Sequence, residues 1–186
     1  MKSKLNYLMI ALMAAGLGAG CSSTSTSQLS SDVNVARNEF LRRDPSLNTV
    51  LQNSAGYAIF PNVGKAGLGV GGARGRGQLF IAGKAYPVGE ATISQLTIGL
   101  QAGAQSFHEL IVFQDQQALD NFKRNTLEFS AQATAIAANA GAATKANYER
   151  GVMVFVAPER GLMAEASVGG QRFGFTPYLT PTGRNY

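Results

Sequence analysis

The segment Gly64-Lys-Ala-Gly-Leu-Gly-Val-Gly-Gly-Ala-Arg-Gly-Arg-Gly77 decides the fold of this 186-residue chain. Seven of its fourteen residues are glycine, and Leu68 and Val70 alternate with glycines at the two-residue period of a β-strand. Glycine inside a strand allows another backbone to approach closely. We therefore expect closely packed strands in a strongly bent sheet, with overpacking or strain wherever a bulky residue replaces a glycine such as Gly69.

Strand patterns continue on both sides of this segment, and a few helical patterns flank them. The predicted strands are 57–60, 78–81, 91–100, 107–113, 127–137, 151–156, 162–168 and 172–175, with turns at 61–62, 83–84, 87–89 and 158–161. Helices are predicted over 32–43, from Pro45 onward, and from the capping residue Asp115 to Phe122. The predicted fold class is α+β, with a strongly curved or barrel-like, mainly antiparallel sheet and a few flanking helices.

The first 20 residues have the layout of a secretory signal. Two lysines precede an apolar run over residues 8–17, and the small residues 18–20 precede Cys21. The apolar run is shorter than the roughly 20 residues that a membrane-spanning helix needs. Cys21 is the only cysteine, and its position predicts a lipoprotein whose mature N-terminus is acylated at this residue. The alternative is an ordinary secreted protein with a free thiol.

Removal of residues 1–20 would leave a Ser/Thr-rich tether over 21–31 and a single domain over 32–186. Two of the 16 basic residues would leave with the signal, so 14 remain against 11 acidic residues, a net charge of +3. This charge suits an anionic lipid surface and is too weak to indicate nucleic-acid binding. Ser22 follows Cys21 where an aspartate would favour the inner membrane, so we expect an outer-membrane anchor facing the periplasm.

Nothing in the sequence indicates an enzyme. Residues 67–72 match the pattern G-x-G-x-x-G, but the glycines at 75 and 77 exclude the helix that a dinucleotide site requires after it. His108 is the only histidine, and no second histidine or spare cysteine accompanies it in a metal site or a nucleophile pair. The sequence thus predicts no catalytic residue, metal ligand or cofactor.

Basic residues cluster around the glycine-rich segment. Arg74 and Arg76 are two residues apart, so in a strand they share one face. A guanidinium group binds phosphate through two parallel hydrogen bonds, which suits a phospholipid headgroup. The alternative is an ordinary solvated face. The predicted headgroup-binding residues are Arg74, Arg76, Lys65 and Lys84, followed by Arg42 and Arg43 on the helix predicted at 32–43.

Four sequence blocks occur in an order that resembles the SYLF domain family. These blocks are Ala58–Gly72, Gly99–Ser106, Leu110–Phe113 with Ala118–Phe122, and Gly161–Gly170. The resemblance covers most of residues 32–175 and implies a lipid-binding domain. Eukaryotic members of this family are associated with phosphoinositide-containing membranes and with actin, and the helix at 32–43 resembles their basic N-terminal segment by position.

The resulting prediction is a non-enzymatic envelope lipoprotein whose SYLF-like domain contacts anionic phospholipid headgroups. Its expected partners are membrane phospholipid and the acyl chains on Cys21, with no nucleic acid and no cofactor. Two alternatives remain open. One is a structural envelope protein that binds a protein or a glycan, and the other, ranked below it, is a hydrolase that acts on envelope lipids.

Overall fold

The fold consists mainly of three strands of about 25 residues each. It is seen in a computed structural model of the chain, which describes residues 25–129 and 136–179. In chain order the elements are α1 (Thr26–Arg43), α2 (Leu47–Asn53), β1 (Gly56–Ile81), β2 (Gly89–Phe113), α3 (Gln116–Lys123), β3 (Glu128–Phe129), β4 (Ile136–Ala137), α4 (Ala142–Lys145) and β5 (Val152–Pro177). The predicted α+β class is confirmed.

β2 lies in the middle of the sheet and is antiparallel to both of its long neighbours. Its first residue, Gly89, is opposite Leu79 of β1 and Pro177 of β5. The short strand β3 is antiparallel to β5, and β4 is parallel to it, so the sheet is mainly antiparallel as predicted. The strand order β1-β2-β5-β3 is open. Within the described residues β1 pairs only with β2, so the barrel-like closure predicted from the sequence is not observed.

The two halves of β1 lie against each other. A Cβ atom added at Gly77 would lie 2.2 Å from the carbonyl oxygen of Ile59, and one at Gly56 would lie 2.5 Å from that of Phe80. Between the two halves, the β1–β2 register shifts between Leu68 and Val70, and Gly69 between them has a φ of +73°, which favours glycine. Of the overpacking or strain predicted at Gly69, overpacking is wrong, because a Cβ there would meet nothing within 4 Å, whereas strain is supported by the positive φ.

The turns predicted at residues 61–62 and 158–161 are wrong, since both positions lie inside long strands. The β1–β2 register shifts between Phe60 and Val63, and the β2–β5 register shifts between Ser106 and Phe107, the latter paired with Pro158. Proline has no backbone N–H to donate. It is tolerated at such irregularities because the regular hydrogen bonds between strands are interrupted there. Of the strand predicted at 127–137, only 128–129 and 136–137 are strands, and residues 130–135 lie outside the described part.

α1 begins at Thr26, six residues before the predicted start, so residues 26–31 belong to a helix and not to a tether. The hydroxyl of Ser25 accepts a hydrogen bond from the backbone N–H of Gln28 at 3.2 Å and caps the helix. Leu29 is buried beneath the first turn, which stabilises it. The prediction for α3 is confirmed, because Asp115 caps it by accepting from the N–H of Ala118 at 2.9 Å.

Apolar clusters cover both faces of the sheet. One joins α1, α2 and α4 to the strands and includes Leu29, Val33, Phe40, Leu47, Ile59, Leu110, Val112 and Phe155. The other joins α3 to the strands and includes Phe60, Leu79, Ile111, Phe113, Leu119, Phe122, Val154 and Phe173. No helix among the described residues is long and apolar enough to cross a membrane.

Asp44 fixes the corner between α1 and α2. Its buried carboxylate accepts hydrogen bonds from the N–H groups of Gly141 at 3.1 Å and Ala143 at 2.8 Å, and from the backbone and hydroxyl of Ser46. Burial alone would raise the pKa of Asp44, but these hydrogen bonds together outweigh burial and hold the pKa below its ordinary value. The contact ties α1 to α4 and therefore fixes α1 on the sheet.

Candidate functional site

Two arginines and a serine form a row across the three long strands. Arg74 of β1 is opposite Ser94 of β2, and Ser94 is opposite Arg172 of β5. Residues opposite one another in antiparallel strands point to the same face, and here all three are exposed. We call this set the arginine row. Sequence reasoning missed Arg172, because only the register between β2 and β5 brings it beside Ser94.

Arg76 lies one pair further along the same face, as the two-residue spacing predicts. Its guanidinium binds the carboxylate of Glu90 with two contacts, Nε to Oε1 at 2.7 Å and Nη2 to Oε2 at 2.8 Å. The hydrogen bond that Arg76 donates to Glu90 is the main reason that the pKa of Arg76 is raised. The charge of Arg76 is thus already matched within the protein.

Arg74 differs from Arg76, since no side chain in the described ranges pairs with it. It lines two open clefts. One of about 620 Å³ also contains Lys65, Gln95 and Gln105 in its wall, and the other of about 400 Å³ lies between Arg74 and Arg76. The guanidinium of Arg74 is therefore available to an anionic group from outside the protein.

Lys65 shares the larger cleft with Arg74, because the doubling of β1 brings its two halves together. The lysine is only 8% exposed, so it can contact only a group that enters the cleft. Its charge also acts on the buried carboxyl of Glu109, which accepts hydrogen bonds from Nε2 of Gln171 at 3.2 and 3.3 Å. Burial dominates and raises the pKa of Glu109 to about 7, while Gln171 and Lys65 act to lower it.

The remaining predicted residues lie elsewhere. Lys84 is exposed in the connection after β1, whose end is about 23 Å along the strand from Arg74 at the usual rise per residue. Arg42 and Arg43 end α1, and both form ion pairs with Glu39. The hydrogen bond from Arg43 is the largest cause of the lowered pKa of Glu39. The structure thus joins Arg74, Arg76 and Lys65 and separates Lys84, Arg42 and Arg43 from them.

His108 has a structural setting. Its ring nitrogen Nδ1 donates a hydrogen bond to the carbonyl oxygen of Pro61, and its ring meets that of Phe40 edge-on at 6.5 Å. Within residues 25–129 and 136–179, no group of three His, Cys, Asp or Glu side chains has the arrangement of a metal site. His108 therefore stabilises β1 at the register irregularity next to Pro61.

A family comparison covers the second half of the chain. Residues 94–177 match the family model described as Ysc84, Las17-binding protein actin regulator. The matched range contains three of the four sequence blocks described above, and it excludes the block at 58–72 and the helix α1. Ser94 and Arg172 of the arginine row lie inside the match, whereas Arg74 lies outside it. No curated protein matches the chain.

Proposed function

Because the chain is a member of the SYLF (Ysc84) domain family, we propose that it is an envelope lipoprotein that contacts anionic phospholipid headgroups through its arginine row. The family is related to lipid binding and to actin regulation. The proposal assigns no catalysis to this chain and does not extend to actin. It places the protein on the outer membrane, facing the periplasm, with the acyl chains of Cys21 as its anchor.

The arginine row, with the open clefts beside Arg74, is the observation that carries this proposal. Two strand spacings separate Arg74 from Arg172, which puts their backbones roughly 10 Å apart. Long arginine side chains can converge on one phosphate from that distance, and the hydroxyl of Ser94 between them adds a donor. Lys65 lies deeper in the adjoining cleft and adds positive charge there.

Arg76, Arg42 and Arg43 are poorer candidates than Arg74 because each already has an acidic partner. Glu90 binds Arg76 with two contacts, and Glu39 is shared by Arg42 and Arg43. A headgroup would have to displace those carboxylates. We therefore assign the leading role to Arg74 and a secondary role to Arg76, and we include Arg172 because the register places it in the row with Arg74.

Changing Arg74 and Arg172 together to serine is expected to weaken binding to anionic vesicles by roughly tenfold to thirtyfold, since each basic side chain near an anionic surface contributes about 1 kcal/mol. The measurement is a titration of the mature chain, residues 21–186 with Cys21→Ser, so that the apolar run over residues 8–17 does not itself bind the vesicles of phosphatidylcholine and phosphatidylglycerol. The loss should shrink as added salt screens the charges.

The matched control removes the same charge elsewhere. Lys123→Ser with Arg124→Ser changes two basic residues at the end of α3, where Nη2 of Arg124 donates to Oδ1 of the neighbouring Asn121, and should leave the affinity nearly unchanged. Circular dichroism establishes that each variant is folded. Equal affinity of the folded arginine-row variant and its parent at low salt would contradict the assignment.

Two further outcomes would favour the alternative functions. If the parent chain shows no preference for anionic over zwitterionic vesicles, the headgroup mechanism fails and a protein or glycan partner is favoured. If the purified chain releases fatty acid or headgroup from phospholipid, the hydrolase alternative is favoured.

The lipid anchor is tested on the wild-type protein, because Cys21 lies outside the described residues. Mass spectrometry of the mature N-terminus is expected to find Cys21 as the first residue, carrying diacylglycerol and a third acyl chain, in the outer-membrane fraction. An unmodified Cys21, or cleavage at another bond, would contradict the lipoprotein assignment.

A further inference from the structure

Four large aliphatic side chains are exposed together where the sheet doubles back. The exposed fractions are 84% for Leu68, 58% for Val70, 63% for Leu96 and 60% for Ile98. The other large exposed apolar residues in the described ranges are dispersed over α1, the connection between β1 and β2, and the segment after β5. We call the four residues the apolar end. An exposed apolar cluster of this kind usually marks an interaction surface.

The apolar end and the arginine row are ordered along one face of the sheet. Val70 is opposite Ile98, and Leu96 lies in the next row, between Gly72 and Gly170. The arginine row comes directly after it. The glycines beside Leu96 have no side chains to cover it. The rows of this face nearest the end of the sheet are therefore apolar, and the next row along the strands is basic.

We propose that the apolar end inserts into the outer part of a lipid bilayer while the arginine row contacts the phosphates, an inference that rests on the proposed membrane function. Val70 lies four residues from Arg74, about 13 Å along the strand. The polar layer on each side of the hydrocarbon is roughly 5–8 Å thick. With the guanidinium groups at the phosphates and the strands inclined to the membrane, the side chains of Leu68, Val70 and Ile98 reach the hydrocarbon, and Leu96, one row nearer the arginines, lies at its boundary.

The depth of insertion is limited by the backbone. Strand edges with unpaired N–H and C=O groups cannot enter hydrocarbon without a large free-energy cost. Insertion is therefore confined to the side chains at the end of the sheet, a depth comparable to the roughly 5–10 Å of other interfacial apolar faces.

A second copy of the chain fits this surface less well than a bilayer does. Two copies that met through their apolar ends would bring their arginine rows to the rim of one contact. Juxtaposed like charges oppose association. An anionic bilayer instead offers apolar chains to the four aliphatic residues and phosphates to the arginines.

Insertion can be measured with a fluorescent label at one position. The sequence contains a single cysteine, so Cys21→Ser gives a background without thiols. In it, Ile98→Cys carries an environment-sensitive dye, and Val35→Cys is the matched control, because Val35 is a β-branched residue 64% exposed on α1. With phosphatidylcholine and phosphatidylglycerol vesicles, we expect the dye at Ile98 to shift to the blue and to be quenched severalfold by nitroxides on the acyl chains. The dye at Val35 should remain in water.

A second measurement lowers the apolar character of these residues and keeps both side chains β-branched. Val70→Thr with Ile98→Thr retains β-branching and strand preference. In the same Cys21→Ser background, the double variant is expected to bind these vesicles about tenfold more weakly or worse, from the apolar surface that no longer leaves water. Its loss should persist at high salt, unlike that of the arginine-row variant. Val35→Thr should bind like its parent.

The outcomes separate the two proposals. If the chain binds anionic vesicles and the arginine-row variant weakens binding, but the dye at Ile98 stays in water, insertion is wrong and headgroup binding stands. If the parent binds no vesicles, both proposals fail. If the dye becomes protected without vesicles as protein concentration rises, the apolar end joins two copies of the chain and insertion is wrong.

Discussion

Replacing Gly77 with alanine is expected to lower the free energy of unfolding by about 3 kcal/mol, at the upper end of the usual range for overpacking. The new Cβ atom would lie 2.2 Å from the carbonyl oxygen of Ile59 and 2.8 Å from Cδ1 of Phe60. The carbonyl belongs to a strand backbone, so it cannot rotate away, and the two halves of β1 must separate. Urea unfolding measures the change as a lower midpoint.

The control for Gly77 is Gly64 in the same strand. A Cβ atom at Gly64 would meet nothing within 4 Å, and its backbone does not have a positive φ. Gly64→Ala should therefore leave stability unchanged or raise it by several tenths of a kcal/mol, because alanine reduces the freedom of the unfolded chain. If Gly77→Ala and Gly64→Ala unfold at the same urea concentration, the halves of β1 are not in close contact.

The wild-type protein is expected to become less stable between about pH 4.5 and pH 7. The pKa of Glu109 rises from 4.5 to about 7 on folding, so in this window the folded protein holds a proton that the unfolded chain has released. Stability falls with rising pH wherever the folded state binds more protons. At about 1.4 kcal/mol per pH unit, the loss approaches 3 kcal/mol. Asp44, whose pKa is lowered, acts in the opposite direction and only below its ordinary value of 3.8.

Glu109→Gln should abolish this dependence. Glutamine cannot ionise, and its side-chain oxygen can still accept the hydrogen bond from Gln171. At about pH 8 we expect the variant to be more stable than the wild type by about 3 kcal/mol, and at about pH 5 the two should be similar. Thermal unfolding at both pH values tests this. Parallel pH profiles for the two proteins would show that Glu109 does not carry the effect.

The parts of the fold that depend on local patterns could be predicted from the sequence. The alternation of apolar residues indicated antiparallel strands, and Asp115 with the apolar residues three and four positions later located α3. Each of these signals lies within one element and needs no knowledge of the rest of the chain. They were sufficient for the α+β class.

The long-range features could not be predicted. Pro61 and Pro158 are ordinary turn signals, and only the shifts in strand register make room for them within β1 and β5. The start of α1 could not be predicted because its first turn is mostly polar. Its packing is visible only in the structure, where Leu29 is buried and Ser30 accepts a hydrogen bond from Gln78 of β1. The polar composition of residues 26–31 predicted a tether because the sheet surface against which they pack cannot be read from the sequence.

Some features of the candidate site could likewise be predicted from local sequence patterns, and others depend on long-range pairing. The shared face of Arg74 and Arg76 follows from spacing along one strand, and the structure has both on that face. Arg172 enters the site only through pairing with β2, and Lys65 only through the doubling of β1. The ion pair between Arg76 and Glu90 likewise requires the register of β1 against β2, and it changes which arginine is available to a ligand.

Because β2 lies between β1 and β5, both of its edges can be paired only after β5 is present. Its partner on one side, β1, is made before it, but its partner on the other side begins only at Val152. Until β5 is synthesised, an edge of 25 residues has no partner, and such edges recruit strands from other chains. Pairing of Gly89 with Pro177 also requires closure of a long loop, which slows folding. Within the described residues β1 keeps one unpaired edge in the completed domain, and a chain that ends before β5 would expose a second long edge on β2. We therefore expect stalled or clipped chains to aggregate more readily than the completed domain.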